Sequence, residues 1–439
     1  MSNSTDASIL DLARQIQTNA STISEYLRQN SLPSLSLVAD AYPFFAGTGP
    51  TNVDRYPRLD EDIFDARTKL REACGILLQL VSGPTEASLS LLLSHFMSAC
   101  MQYIYHYRLA EGVPVAGDIS YNDLAAKTGT LEGQCARVLK YAMTQNMFRQ
   151  SRPGHVAHTA LSKTLLAPDF RDMVGYATEE SFLAAPSLVE AVDKHPGSQE
   201  KNATAWNLGH NTDLPMFEYF EMYPARLQRF MGCMRFLASG ESYNIKHLVE
   251  AFDWKAFGDG LVVDVGGSFG HCCFEIAEIA PELKFIVQDL EKVATQAQQE
   301  RANDKHVERI EFQAHNFFTP QLVKNADVYL LRFICHDYSD KYAAQILSNI
   351  TPAMGRNSRI VIVDAVMPEV GVLSKFDESR ARVLDIEMML SFNGCERDES
   401  GWKALFEQAD PRLELRSTKN IPGNIHAVME LGLKESLPN

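Results

Sequence analysis

The sequence of 439 residues lacks features that mark membrane, secreted and zinc-binding proteins. No apolar run reaches the roughly 18 residues that a bilayer-crossing helix needs, so we expect no membrane span. The first residues, MSNSTDASILDLARQ, do not have the basic segment and apolar core of a signal peptide. The eight cysteines form no CxxC pair and no cysteine–histidine cluster with zinc spacing. These absences predict a cytoplasmic protein with reduced cysteines.

Positive charge is scarce as well. Lysine and arginine number 41 against 56 acidic residues, which gives a formal net charge of −15. Nucleic-acid phosphates would repel such a chain, and no long basic run offsets the repulsion, so we expect no nucleic-acid partner. The chain exceeds the usual length of one domain, which predicts two or three units.

The N-terminal part has the pattern of packed helices. Apolar residues recur at helical spacing over 8–29, 61–80 and 84–108. Residues 119–165 then follow the order of a winged helix-turn-helix, with Thr130 as the expected N-cap of its second helix. That shape serves DNA binding in some proteins and dimerisation with substrate covering in others. The second helix has few basic residues, which favours dimerisation.

Beyond residue 260 the pattern changes to short apolar strands that alternate with helices. The predicted strands read LVVDV, LKFIVQD, IEFQA, DVYLLR and RIVIVDA. This alternation predicts an α/β fold with a doubly wound parallel sheet. We therefore divide the chain into a helical and winged-helix domain (1–175), a helical linker and substrate-covering region (176–256) and a Rossmann-like α/β domain (257–439).

A glycine-rich turn follows the first predicted strand, as Asp264-Val-Gly266-Gly267-Ser-Phe-Gly270. Such a turn lets a ligand approach the backbone at the carboxyl edge of the sheet. The G-x-G-x-x-G spacing of dinucleotide-binding proteins is absent, which disfavours an NAD-dependent oxidoreductase. The carboxylate of Asp264 suits a cationic ligand better than a diphosphate. S-adenosylmethionine carries an ammonium and a sulfonium but no phosphate, and we expect it as the cofactor.

The second predicted strand ends in Asp289-Leu290. An acid at this strand end can accept hydrogen bonds from ribose hydroxyls, and Leu290 can pack on the adenine. This acid alone would also suit NAD. It supports the S-adenosylmethionine interpretation in combination with Asp264 and the glycine turn.

His336 follows the fourth predicted strand and so lies at the cofactor edge of the sheet. Methyl transfer from a sulfonium needs an in-line approach and a deprotonated nucleophile. A histidine, with an ordinary pKa of about 6.5, can accept the proton of a phenol or acidic enol. Asp364, at the end of the fifth strand, and Glu396, after a helical segment, are two candidate carboxylates to orient it.

Asp337, Ser339 and Asp340 come directly after this histidine and could indicate a metal site. The same residue types begin helices, because they cap free amides and suit the positive end of the helix dipole. We favour a helix start and expect no metal.

Several segments resemble fungal secondary-metabolite O-methyltransferases, which are related to the plant caffeate-type enzymes. They are DVGGSFG, VQDL, HNFF, ADVYLLRFICHDYSDKYAAQIL, NGCERDESGW, GHVAHTALS and NTDLPMFEYF. The resemblance covers nearly the whole chain. It implies an N-terminal winged-helix dimerisation domain, a C-terminal Rossmann-like methyltransferase domain, a homodimer and a small-molecule acceptor.

The resemblance also implies residue roles. Asn316 and Phe317 match adenine contacts, Arg332 matches a lysine near the cofactor, and Met389 and Asn393 match acceptor-pocket positions. It further implies His336 as the base, with Asp364 and Glu396 as its flanking acids, and cofactor contacts at Gly266 and Asp289. The chain departs from the family pattern at Ser268, a frequent glycine, at Asn316, an aspartate in plants, and in a shorter loop over 393–396.

One alternative shares the fold but not the reaction. Some fungal proteins of this type bind S-adenosylmethionine and catalyse pericyclic or dehydration chemistry, in which no methyl moves and the sulfonium acts by its charge. A histidine can promote dehydration too, and Arg332 could polarise a carbonyl. The presence of His336 with both acids favours methyl transfer.

Overall fold

The computed structural model describes residues 8–41, 61–240, 243–421 and 425–434. The chain forms two compact units that interleave along the sequence. The helical unit comprises Met1–Leu183, Phe220–Glu241 and Gly371–Arg380, and the sheet unit comprises Ala184–Tyr219, Ser242–Val370 and Ala381–Asn439. The division at residues 175 and 256 was drawn from linear patterns and stays a prediction.

The helices of the described residues range in length from three residues to 32. In chain order they begin with α1 (Ile9–Gln29), α2 (Glu61–Leu92), α3 (His95–His106), α4 (Leu109–Gly112), α5 (Tyr121–Thr128), α6 (Glu132–Met143), α7 (Ala160–Thr164), α8 (Pro168–Tyr176), α9 (Phe182–Ala184), α10 (Leu188–Lys194), α11 (Ala205–Gly209), α12 (Met216–Met222) and α13 (Pro224–Ser239). They continue with α14 (Lys246–Ala251), α15 (His271–Ile279), α16 (Glu291–Glu300), α17 (Asp340–Ile350), α18 (Lys375–Phe392) and α19 (Glu399–Ala409).

The helical pattern of the N-terminal part is confirmed, with one correction. Helix α1 begins where Ser8 Oγ accepts the amide of Asp11, and α2 breaks at Gly83, which has φ 71° and precedes a proline. The predicted helix over 84–108 is wrong as one element, since α2 ends at Leu92 and α3 starts at His95.

Helices α5 and α6 and a small sheet form the winged helix. Its strands are β1 (Ile119–Ser120), β2 (Phe148–Arg149) and β3 (His155–His158), in the antiparallel order β1-β3-β2. The N-cap of α6 is Leu131, so the expected cap at Thr130 is wrong. Thr130 instead pairs its hydroxyl with that of Thr128 at 3.1 Å.

The stretch Asp62–His106 is apolar and largely solvent-exposed. Among the described residues it is the helical stretch long and apolar enough to cross a membrane by length and composition, and 6% of its most apolar window is buried. The sequence criterion of an uninterrupted apolar run misses it because polar residues are spread through it.

The large sheet confirms the α/β prediction. Its strands are β4 (Leu261–Val265), β5 (Lys284–Asp289), β6 (Ile310–Ala314), β7 (Val328–Arg332), β8 (Arg359–Ala365), β9 (Leu413–Asn420) and β10 (His426–Leu433). Their order is β6-β5-β4-β7-β8-β10-β9, with β4 to β8 parallel and β9 and β10 antiparallel. Strand order reverses at β4, so the carboxyl ends of β4, β5 and β7 border a crevice that suits a ligand.

Candidate active site

The turn after β4 requires its glycines. Gly266 and Gly270 have φ of 75° and 71°, a left-handed conformation that favours glycine. The amides of Gly266 and Gly267 both donate to the carbonyl oxygen of Gln288, at 2.8 and 3.1 Å. A Cβ added at Gly266 would lie 2.7 Å from Ile334 Cδ1, so the backbone is the surface that this turn presents.

Asp289 organises the backbone around the turn. Its Oδ2 accepts the amide of Ser268 at 2.9 Å and its Oδ1 accepts the amide of Leu290 at 2.8 Å. Burial raises the pKa of Asp289, although these two amides act to lower it. Each carboxylate oxygen has a second lone pair that can accept a ribose hydroxyl. The side chain of Leu290 is 46% exposed, which leaves an apolar surface beside that acid.

Asp264 lies under the glycine turn rather than at its surface. It is 2% exposed, and a Cβ on Gly267 would come within 2.5 Å of its carboxyl group. The thiol of Cys273 donates to its Oδ2 at 3.5 Å, and burial raises the pKa of Asp264 to about 7. A cation bound nearby would favour the ionised form of this acid.

Phe317 lies beside the glycine turn, since a Cβ on Gly266 would be 3.5 Å from its ring. Its ring centroid lies 5.8 Å from that of Tyr338. The neighbouring Asn316 is exposed, and its Oδ1 accepts the amide of Phe318 at 3.0 Å. The segment thus places an aromatic face and an exposed amide side chain near the crevice.

Arg332 ends β7 with its guanidinium held on two sides. Its Nη2 donates to the carbonyl oxygen of Tyr243 at 2.6 Å, and the guanidinium lies 4.2 Å from the ring centroid of Phe333. Its charge lowers the pKa of Asp264 and so opposes the effect of burial on that acid.

His336 lies on a single 3-10 turn, Cys335–Asp337, directly after β7. Its Nδ1 is 2.8 Å from Glu396 Oε1, and its Nε2 is 3.6 Å from Asp337 Oδ1. Burial by itself would lower the pKa of His336. The carboxylates of Glu396, Asp337 and Asp364 outweigh burial and raise that pKa to about 10.

The two acids predicted to flank His336 have different contacts. Glu396, whose side chain is fully buried, bonds the imidazole directly. Asp364 is also fully buried, but its Oδ2 accepts the amide of Cys335 at 3.2 Å. Its Oδ1 has no hydrogen-bond partner among the described residues, and burial raises its pKa to about 7. Asp364 therefore holds the turn that carries His336 and acts on the imidazole by its charge.

Sequence reasoning weighed Asp337 as a metal ligand or as part of a helix start, and not as a partner of His336. The structure places its carboxylate on the Nε2 side of His336, and burial raises its pKa to about 6. The signal available in the sequence was its position next to the histidine on a strand end. Of the other residues weighed for a metal, Ser339 is the N-cap of α17 and Asp340 accepts Arg397 Nε at 2.8 Å.

The two expected acceptor-pocket residues lie at the end of α18 and in the loop after it. Met389 is half-buried on α18. Asn393 donates both amide hydrogens, to the carbonyl oxygens of Glu200 at 2.9 Å and Ala203 at 3.1 Å. Its Oδ1 therefore remains the atom through which it could bond an acceptor.

The arrangement defines a sheet-edge site that suits a nucleoside-containing cation, followed along the same edge by a buried histidine paired with a carboxylate. The comparisons with known proteins agree. An O-methyltransferase domain matches residues 192–410 and an O-methyltransferase dimerisation domain matches residues 89–168. The O-methyltransferase bik3 of Gibberella fujikuroi is 34% identical, over 96% of this chain and 92% of its own length.

Two further matches have names that point to two different reactions. The chlorophenol O-methyltransferase of Trichoderma longibrachiatum is 34% identical, over 97% of this chain and 90% of its own length. A solved structure titled as a pericyclic reaction enzyme is 26% identical, with a TM-score of 0.70, over 86% of this chain and 95% of its own.

The chain therefore belongs to the O-methyltransferase family of fungal secondary metabolism. It is an S-adenosylmethionine-dependent O-methyltransferase, with the family's dimerisation domain ahead of the methyltransferase domain. The observed residues fit this cofactor. The glycine turn leaves the backbone open, Asp289 has lone pairs to spare, and Leu290 and Phe317 offer apolar faces.

Proposed function

We propose that His336 is the general base that takes the proton from an acceptor hydroxyl. The observation that carries this proposal is the contact between His336 Nδ1 and the buried Glu396 carboxylate at 2.8 Å. A carboxylate on one ring nitrogen holds the ring orientation and makes Nδ1 the donor, so Nε2 is the nitrogen that accepts the proton. S-adenosylmethionine, when bound, supplies the methyl group as an electrophile attached to a sulfonium.

The proton affinity of His336 suits a phenol or an enol as the acceptor. Its pKa of about 10 is close to that of an ordinary phenol, also about 10. A phenol or an enol is acidic enough to give its proton to a histidine, whereas an aliphatic alcohol holds its proton far more tightly. We propose a small aromatic or polyketide-type acceptor. The related chlorophenol O-methyltransferase, by its name, acts on a phenol.

We further propose the other site roles. Asp289, Leu290, Asn316, Phe317 and Arg332 bind or border the cofactor. The glycine turn and Asp264 complete that set. Met389 and Asn393 line the acceptor pocket, and Asp364 supports the turn of His336. The contacts described above support the roles of the cofactor residues and of Asp364, and the resemblance to the family supports those of Met389 and Asn393.

The exposed apolar surface of α2 and α3 supports a homodimer. Large apolar side chains there are 45–72% exposed at Leu78, Leu80, Val81, Leu91 and Phe96. The matched dimerisation domain begins at residue 89, within this stretch. We propose that a second copy covers it, that the protein is cytoplasmic, and that it binds neither nucleic acid nor a membrane. Light scattering of the purified protein tests the dimer, addition of anionic vesicles tests membrane binding, and retention on heparin at low salt, which we expect to be absent, tests nucleic-acid binding.

The test of the base uses mass spectrometry of product and of S-adenosylhomocysteine together. The purified protein is incubated with S-adenosylmethionine and a panel of phenols, polyketides and aromatic metabolites. We expect a product heavier by one CH2 unit, because a methyl replaces the hydroxyl hydrogen, formed with an equal amount of S-adenosylhomocysteine. His336→Ala and His336→Gln should lose most turnover, while the Kd for S-adenosylhomocysteine stays near that of the unchanged protein. Turnover retained in both variants would remove His336 as the base.

A pericyclic or dehydrative reaction is the second candidate, favoured by the 26% identity to the solved pericyclic enzyme. Its signature is a product of unchanged or water-depleted mass that needs S-adenosylmethionine without consuming it. Arg332 would then serve to polarise a carbonyl. The same mass-spectrometric experiment separates the two reactions.

A further inference from the structure

The N-terminus of α17, which begins just after the turn of His336, is capped from a distant segment. Its N-cap residue, Ser339, makes no side-chain cap and instead donates its hydroxyl to the carbonyl oxygen of Gln199 at 2.9 Å. The free amide of Lys341 donates to Gln199 Oε1 at 2.8 Å. The first amides of a helix lack partners within it, so Gln199 satisfies one that the local sequence leaves open.

The same segment bonds the loop that leads to Glu396. Asn393 donates its two amide hydrogens to the carbonyl oxygens of Glu200 and Ala203. The next residue, Gly394, packs so closely that an added Cβ would collide with the carbonyl oxygen of His336. The loop between Asn393 and Glu396 is short, and its path is set by this anchor.

Residues 199–203, which we name the strap, therefore bond the segment that follows His336 and the loop that precedes Glu396. One end of the strap is bonded to the helix that follows His336, and the other to the loop that precedes Glu396. The two members of the pair are 60 residues apart in sequence and gain a common support. We propose that the strap is a positioning element for the base, with Gln199 as its principal residue. The proposal rests on the proposed role of His336.

The strap also carries an exposed ion pair, which contributes little to this role. Glu200 Oε1 and Lys341 Nζ are 2.6 Å apart, with side chains about half exposed to solvent. Water screens such a pair, so its net stabilisation is small. Ser339, by contrast, is 5% exposed, and a lost bond there is not replaced by bulk water. The positioning effect therefore lies in the bonds made by Gln199 and Ser339.

The test compares two near-isosteric variants, Gln199→Met and Gln199→Glu. Methionine fills the same space without an acceptor. Glutamate keeps the acceptor and adds a negative charge that suits a helix N-terminus. We expect Gln199→Met to lower kcat about tenfold, since small displacements of a catalytic group cost one to two orders of magnitude. The KM for S-adenosylmethionine should not change, and Gln199→Glu should retain kcat.

The pH profile supplies a second readout. A looser contact between His336 and Glu396 lowers the proton affinity of the imidazole, so the acidic limb of kcat/KM should move to lower pH in Gln199→Met. The matched control is Gln296→Met, on the exposed face of α16, where the glutamine bonds only Glu300 among the described residues. Ser339→Ala, paired with Ser348→Ala on the same helix, repeats the test without touching the strap.

The outcomes separate this inference from the proposed function. An inactive His336→Ala with an unchanged kcat and pH profile in Gln199→Met and Ser339→Ala overturns the strap alone. An active His336→Ala overturns both proposals. Equal losses in Gln199→Met and Gln199→Glu, with unchanged thermal unfolding, also refute the role of the hydrogen bond. If Gln199→Met unfolds, the Ser339→Ala and Ser348→Ala pair decides the question.

Discussion

Replacement of Glu396 by glutamine separates the charge of this residue from its hydrogen bond. Glutamine Oε1 can still accept the hydrogen bond donated by His336 Nδ1, so the ring keeps its orientation, while the negative charge is lost. Two unit charges about 4 Å apart interact by roughly 4 kcal/mol at an effective dielectric constant near 20. At about 1.4 kcal/mol for each pH unit, the pKa of His336 should fall by roughly two to three units.

The sign of the pH effect follows from the position of that pKa. In the unchanged protein the pKa of His336 is raised to about 10, so the neutral imidazole gains nearly tenfold for each pH unit between about 7.5 and 9. The rate constant kcat/KM should rise by the same factor over this range. Asp337 and Asp364, with pKa values of about 6 and 7, are largely ionised there. In Glu396→Gln the rise of kcat/KM with pH should level off between about pH 7.5 and 9, and the maximal rate should be lower.

The assay is kcat/KM against pH for two phenolic acceptors of different acidity, so that a limb due to the acceptor moves with the acceptor and one due to His336 does not. Glu399→Gln is the matched control, because Glu399 lies three residues further on and its side chain is 69% exposed. An unchanged limb and an unchanged maximal rate in Glu396→Gln would refute a catalytic role for this ion pair.

Three further predictions concern other parts of the site. Asp289→Ala should raise the Kd for S-adenosylhomocysteine by about ten- to a hundredfold, because charged hydrogen bonds are worth roughly 1.5–3 kcal/mol, and calorimetry with unchanged affinity would remove Asp289 from the site. Ser268 has φ 52°, so Ser268→Gly should raise the free energy of unfolding by roughly 1 kcal/mol, measured by urea titration, with the cofactor affinity unchanged as the control. Asp364→Asn should flatten the stability profile. Burial raises the pKa of Asp364 from its ordinary value to about 7, so in the unchanged protein the free energy of unfolding falls as pH rises from about 4 to 7. At pH 8 the variant should therefore have a melting temperature no lower than that of the unchanged protein, but a lower kcat. A lower melting temperature would contradict this account.

The parts of the site that follow local pattern could be predicted from the sequence. A glycine turn after a buried strand and a histidine after another reach the same edge because parallel strands in an α/β sheet end on one side. The acid at the end of β5 follows for the same reason, and its predicted location at that strand end is confirmed. The antiparallel pair β9 and β10 was not predicted, because pairing direction depends on distant strands.

The sequence by itself determined which residues lie at the carboxyl edge of the sheet, because hydrophobic periodicity and strand ends are local properties of the chain. Which carboxylate would bond His336 was decided only by the tertiary structure. The sequence left Asp364 and Glu396 as two candidates. In the structure Asp364 accepts the Cys335 amide and Glu396 bonds His336 Nδ1, and this choice depends on how the segments pack. The approach of Asp337 to Nε2 depends on the direction of a side chain, and the bonds of the strap join segments far apart in the sequence. Hydrophobic periodicity encodes neither.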